Sequence, residues 1–313
     1  MKIKLISLLA GLSLLAFSLT GCSLAGAAIS TPTPTATRTP LPTLTATPAP
    51  SGTPTPAPSP TATLAPCPTT PGQHSCASDV TVPIGPGQTI TIRVRYLLYL
   101  PGDYGKDPKQ QWPLILFLHG SGSIGNDLNL LKNAMLPWML ETKTDFPFIV
   151  ISPQLPGPGA WTSEQSATQI QDWSPLIDPL NVLLDQLPAQ YAVDTQRLYL
   201  TGLSLGGFGT WEFALRYPQR FAAIVPVAGG YLFNSSAIPP GICTLKDLPV
   251  WVFYGGQDTV VQPVQSSSMI KALQDCGGNV HATFYPDATH EQTWQRAYID
   301  PALWQWLLQQ SKP

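Results

Sequence analysis

Gly202-Leu203-Ser204-Leu205-Gly206 sets a serine between two close glycines. A pentapeptide of that form recurs by chance, so the residues around it decide its meaning. Arg197-Leu-Tyr-Leu-Thr201 ahead of it reads as a strand, and Gly207 to Tyr217 behind it reads as a helix. Strand, motif and helix in that order make a nucleophile elbow. The glycines let the turn bring backbone close to neighbouring elements, which leaves Ser204 strained, exposed and at the carboxyl end of a strand. A hydroxyl held there attacks a carbonyl carbon once a base takes its proton.

Of the four histidines, two follow Ser204. His281 falls inside the alternating strand Val280 to Tyr285, whereas His290 comes after the Pro286-Asp287 turn, in a loop at that strand's carboxyl end. His290 is the expected base. Asp258 closes Tyr254-Gly-Gly-Gln-Asp258 directly beyond the strand Pro249 to Tyr254, so its carboxylate is expected on the same rim, orienting the imidazole. Asp287 competes for that role but is very near His290 along the chain, and Asp275 lies in a predicted helix.

Acyl transfer puts negative charge on the former carbonyl oxygen, which needs two fixed N–H donors. One is expected from Leu205, directly after the serine. The other is expected from the loop Leu118-His119-Gly120-Ser121-Gly122, with the Ser121 amide chosen and Gly120 the close alternative. Trp161 and Gln154 follow another strand and are candidate substrate contacts, together with His119. His119 precedes Ser204 in the chain and reads as a brace of its loop. Trp161 could equally be a loop anchor buried against the domain.

The elements that must position these groups alternate along the chain. Thr89 to Leu100 alternates apolar and β-branched residues, while Pro113 to Leu118 and Phe146 to Ile151 are unbroken apolar runs, as in strands covered on both faces. Helical patterns at Asp127 to Leu140 and Pro175 to Tyr191 interleave with strands at Arg197 to Thr201, Phe221 to Val227, Pro249 to Tyr254 and Val280 to Tyr285. That order predicts an α/β fold with a mostly parallel sheet, helices on both faces and the site at the carboxyl ends of the strands.

The body resembles the esterase-like lineage of bacterial α/β-hydrolases, which includes polyhydroxybutyrate depolymerase-like and feruloyl esterase-like enzymes and proteins labelled predicted peptidases. The resemblance spans about Tyr96 to Gln310. It rests on Leu118 to Gly122, Gly202 to Gly206 with Gly207 and Gly209, Ala228-Gly-Gly230, Gly255 to Asp258, and the tail from His290 through Trp294 and Tyr298 to Trp304 and Leu307. It implies an α/β-hydrolase fold, and it implies a triad on Ser204, Asp258 and His290, the same residues reached from spacing alone. Relatives often carry charged residues after the His-Gly-Ser-Gly loop, where this chain has Ile124-Gly125-Asn126-Asp127. The expected reaction is cleavage of small or polysaccharide-linked carboxylic esters through an acyl-enzyme, without cofactor or metal. A serine peptidase of the same fold and a non-catalytic binding module are the alternatives.

The N-terminal quarter belongs to another class of chain. Lys2 and Lys4 precede an apolar run from Leu5 to Leu19, too short for a comfortable span, and the run ends in Leu19-Thr20-Gly21-Cys22. This ending resembles the lipobox of bacterial lipoproteins, which implies a signal peptide over 1–21 and a lipid on Cys22 that anchors the protein to a membrane. An uncleaved anchor helix and a plain secretory signal are the other readings, and each places the body outside the cytoplasm. Residues 22–78, rich in Thr and Pro, read as a disordered stalk, and 79–313 as the catalytic domain. About 40 such residues at about 3.1 Å each reach about 120 Å. Cys67, Cys76, Cys243 and Cys276 remain for two disulfides in an oxidising compartment, each couple pairing locally. With charged residues at 11% and a net charge of −2, no basic face exists for nucleic acid, and a monomer acting on neutral substrates is expected.

Overall fold

In the computed structural model, residues 67–157 and 172–313 are described. Cys22, most of the expected stalk and Trp161 lie outside them. Eight strands form one sheet among the described residues: β1 (Gly72–Gly85), β2 (Gln88–Leu100), β3 (Trp112–Leu118), β4 (Ile149–Pro153), β5 (Val193–Leu203), β6 (Ala223–Val227), β7 (Val250–Gly255) and β8 (Val280–Tyr285). The helices are α1 (Met135–Leu140), α2 (Ser174–Gln186), α3 (Leu205–Arg216), α4 (Pro263–Asp275), α5 (His290–Ile299) and α6 (Pro301–Leu308).

The strands lie in the order β1-β2-β4-β3-β5-β6-β7-β8. β1 and β2 pair antiparallel, β2 also runs antiparallel to β4, and every later neighbour is parallel. Side-chain alternation sorts the core into two layers. Leu114, Leu116, Leu198, Leu200, Val250 and Val252 face α2, α3 and α4, whereas Ile115, Phe117, Tyr199, Trp251 and Phe253 face α1, α5 and α6. This is the α/β-hydrolase fold.

Four expectations about elements change. The sheet begins at Gly72, ahead of the boundary placed at residue 79, because β1 pairs with β2 from Gly72 opposite Leu100 to Gly85 opposite Gln88. Gln73 to Ser78 carries almost no apolar signal because β1 is an edge strand, half of whose side chains face solvent. The expected helix over Asp127 to Leu140 divides at Ala134 into a 3₁₀ stretch, Leu128–Asn133, and the short α1. That break puts Pro137 in the first turn of α1, where a missing N–H costs nothing. β4 starts at Ile149 and not at Phe146, since it runs between two partners and Pro147 has no hydrogen to give a ladder. β5 is longer than its apolar run and starts at Val193.

β2 shows how burial follows pairing. Along its first half, where β1 is the partner, Ile92 and Val94 point inward and their neighbours outward. From Tyr96 onward, where β4 adds a second partner, the strand is buried on both faces.

Cys67 pairs with Cys76 and Cys243 with Cys276, at Cα separations of 5.4 Å and 5.3 Å. The first joins the entering chain to β1, and the second joins the segment before β7 to the end of α4. The bridges close loops with sequence separations of 9 and 33, which in the chain-entropy account constrain the unfolded chain by about 3 and about 4 kcal/mol. Replacing Cys243 and Cys276 together by serine is therefore expected to lower unfolding stability in urea by about 4 kcal/mol, and an unchanged midpoint would show that the longer bridge contributes nothing.

Candidate active site

Ser204 stands between the end of β5 and the first residue of α3 with φ 54° and ψ −118°. A side chain in that region of backbone space costs about 1–3 kcal/mol, so the surroundings must impose it. They do so by contact of main chain with main chain. A side chain on Gly206 would run into the Leu118 carbonyl, and one on Gly202 would meet the backbone of Gly206. Beyond the turn, Gly207 lies against Val227 and Gly229. The Ser204 amide donates to Val227 O at 2.9 Å, and the Ser204 carbonyl accepts from Gly207 and Phe208 at 2.8 and 3.1 Å.

His290 is the first residue of α5, whose N-terminus is closed by reciprocal bonds between Thr289 and Gln292. Its Nε2 lies 2.9 Å from Ser204 Oγ and its Nδ1 2.6 Å from Asp258 Oδ2. A carboxylate only accepts, so the ring carries its proton on Nδ1 and leaves Nε2 free to accept from the serine hydroxyl. Asp258 itself is buried, and its Oδ1 accepts from the amides of Val260 and Val261 at 2.9 and 2.8 Å. Both carboxylate oxygens are thereby fixed. The Trp294 ring stands edge-on to His290 at 4.6 Å.

The competing residues are engaged elsewhere. Asp287 forms two bonds to Arg296, at 2.8 and 2.9 Å, and the guanidinium holds its carboxyl down at about 2. Asp275 pairs with Lys271, four residues before it on α4. His281 stacks flat on Trp251 along β8.

Ser121 opens a short 3₁₀ turn after β3, and Gly120 packs directly under Ser204. Leu205 is the first helical residue of α3, where an amide has no carbonyl one turn back to donate to. Two candidate substrate contacts are corrected. His119 is fully buried; its Nε2 accepts from Leu155 N at 3.0 Å and its Nδ1 donates to Gly120 O at 2.6 Å, which leaves neither nitrogen for a ligand. Gln154 is also buried and donates to Ser123 O and Asp127 O, at 3.0 and 2.8 Å. Both residues pin the loop from Gly120 to Asp127 from below.

A second brace was not read from the sequence. Thr201 Oγ1, on β5, donates to Val225 O at 2.7 Å, so the hydroxyl of Tyr298, 2.9 Å away, must be the donor to Thr201. Tyr298 belongs to α5, so this buried chain of donors ties the helix that starts at His290 to the strand that ends at Ser204. Burial raises the Tyr298 phenol well above its ordinary range, which keeps it a donor. A lone Thr in an apolar strand and a Tyr in an amphipathic helix give no sign of partnership 97 residues apart.

A hydroxyl, an imidazole and a buried carboxylate in this line can pass a proton from oxygen to ring while the oxygen attacks. Among the described residues, no group of three His, Cys, Asp or Glu side chains is gathered as metal ligands would be.

The sequence profile of the phospholipase/carboxylesterase family matches residues 105–297, well over half of the chain. The chain belongs to this family. Among curated proteins, a bifunctional acetylxylan esterase/xylanase of Neocallimastix patriciarum is 27% identical over 52% of this chain and 22% of its own length. A poly(3-hydroxyoctanoate) depolymerase of Pseudomonas fluorescens is 27% identical over 50% of this chain and 60% of its own length. The chain thus spans less than two thirds of either relative. Among solved structures, a thermostable esterase superposes with a TM-score of 0.58 at 28% identity, over 75% of this chain and 63% of its own. An acylaminoacyl peptidase of Pyrococcus horikoshii, with a TM-score of 0.55 at 15% identity over 77% of this chain and 42% of its own, shares the fold.

Burial pushes the His119 imidazole down from 6.5 to about 4. Between those values the unfolded chain binds a proton that the folded protein refuses, so stability is whole above pH 6.5 and falls as pH drops towards 4. The loss is expected to reach about 3 kcal/mol. Urea midpoints measured from pH 7 to pH 4 should fall less steeply for His119→Asn than for the parent, and equal slopes would remove His119 as the cause.

Proposed function

We propose that this family member is a serine carboxylic-ester hydrolase that works by acyl transfer. The observation that carries the reading is that one imidazole, His290, lies within hydrogen-bond reach of both the Ser204 hydroxyl and the buried carboxylate of Asp258. Ser204 attacks the ester carbonyl as His290 takes its proton. The resulting oxyanion lies towards the amides of Ser121 and Leu205, with Gly120 the alternative to Ser121. His290 then returns the proton to the departing alcohol, and water releases the acyl group by the same route.

Esters are preferred over amides because both curated relatives carry names of ester-cleaving enzymes. The notion of small or polysaccharide-linked esters rests on the same names. The two disulfides support a location outside the cytoplasm. We place the protein there on a Thr/Pro-rich stalk with a lipid on Cys22. Loss of membrane fractionation in Cys22→Ala would support that anchor, and retention would exclude it.

With p-nitrophenyl butyrate, Ser204→Ala is expected to lose about 10⁵-fold or more of kcat, and Asp258→Asn about 10⁴-fold with little change in KM. Fluorophosphonate labelling that persists in Ser204→Ala would take the nucleophile role from Ser204. Faster turnover of peptide anilides than of every ester in the panel would favour a peptidase.

A further inference from the structure

The rim on one side of Ser204 carries no charge. From Phe221 to Leu245, and again from Thr259 to Ile270, the sequence holds no Asp, Glu, Lys or Arg. These stretches are the loop after β6 and the approach to α4. Their undersides are tied by polar bonds: Ser266 Oγ donates to Gly229 O at 2.7 Å, and Gln265 Nε2 donates to Leu232 O at 3.0 Å. Their outer sides carry exposed apolar side chains among uncharged polar ones. Phe233 is 60% exposed, Leu232 50%, and Val260 and Val264 47% each. The Phe233 ring meets Phe208 at 6.0 Å, and the Phe208 amide donates to the carbonyl of Ser204. A ledge of apolar side chains therefore runs from the first turn of α3 across the loop to the start of α4.

We infer that this ledge receives the acyl group of the substrate, and that it selects uncharged acyl groups several carbons long. The inference rests on Ser204 being the nucleophile of an esterase. His290 arrives on α5, which packs on the sheet face of α1 and α6, whereas the ledge is built from α3, α4 and the loop between them, on the other face. The imidazole must stand beside the leaving oxygen to protonate it, so the alcohol departs on the α5 side and the acyl group falls on the ledge. Polar ties beneath the ledge fix its shape before the substrate arrives, which spares the ordering cost of binding. Apolar area left in water at a site is regained when a hydrocarbon chain covers it, and a terminal carboxylate would lose its hydration there without finding a partner.

The test uses the full chain and the p-nitrophenyl esters of acetate, butyrate, hexanoate and adipate, the last a six-carbon acyl group ending in a carboxylate. For the parent, kcat/KM is expected to rise about tenfold or more from acetate to hexanoate and to fall back for adipate. In Phe233→Ala and in Val264→Ala, both at exposed positions, the ratio of hexanoate to acetate should drop several-fold, mainly through KM. A ratio unchanged in both variants, or adipate turned over as well as hexanoate, overturns the ledge as the acyl site. A concentration-dependent dimer that Phe233→Ala dissociates would assign the ledge to a second copy and overturns it too. If the parent hydrolyses none of the four esters, the esterase reading itself falls.

Discussion

The approach of main chain to main chain at the end of β5 is the constraint on which this structure depends. Gly202 and Gly206 meet each other and the carbonyl of Leu118, and Gly207 meets Gly229, so β3, β5, α3 and the loop after β6 converge where no side chain fits. Ser204 keeps its strained backbone because every alternative would open that junction. The same junction sets the Ser204 amide on the carbonyl of Val227 and Gly120 against the Ser204 side chain. Rigidity at Ser204 is thus a by-product of packing density rather than of any single bond.

Polar bonds then do what packing cannot, which is to set direction. The amides of Val260 and Val261 and the ring of His290 occupy the oxygens of Asp258. Tyr298 and Thr201 join α5 to β5 beneath the site by donors whose order is fixed. His119 and Gln154 do the corresponding work under the loop after β3. His119, Thr201 and Tyr298 are buried, and their polar atoms are spent on backbone or on a neighbouring hydroxyl.

How much of this the sequence discloses depends on whether a signal is local. The elbow around Ser204 is legible because its glycines, strand and helix are contiguous, and Asp258 and His290 are legible because each follows a strand that its own residues mark, the first by an apolar run and the second by alternation. β1 is not legible: an edge strand with solvent on one side carries polar residues such as Gln73, Ser75 and Ser78, and only its partner reveals it. The break at Ala134 follows from Pro137, a local cue that the apolar periodicity of Asp127 to Leu140 outweighed. His119 and Gln154 are polar residues at strand ends, which look alike in sequence whether they point to a ligand or to backbone carbonyls beneath a loop. The pairing of Thr201 with Tyr298 and the meeting of Phe208 with Phe233 are products of the third dimension alone.

The place where the first bridge meets the sheet has a mechanical meaning. Cys67 is joined to Cys76, in β1, while the register of β1 on β2 starts at Gly72. Tension arriving along the preceding chain reaches the strand at Cys76 through a covalent bond, and so bypasses the pairs from Gly72 to Ser75 that would otherwise unzip one by one. To tear the domain from that end, a load has to shear the hairpin from Cys76 onward as a block. Since β1 lies at the margin of the sheet and β5 in its interior, whatever strain is admitted there is spent four strands away from Ser204.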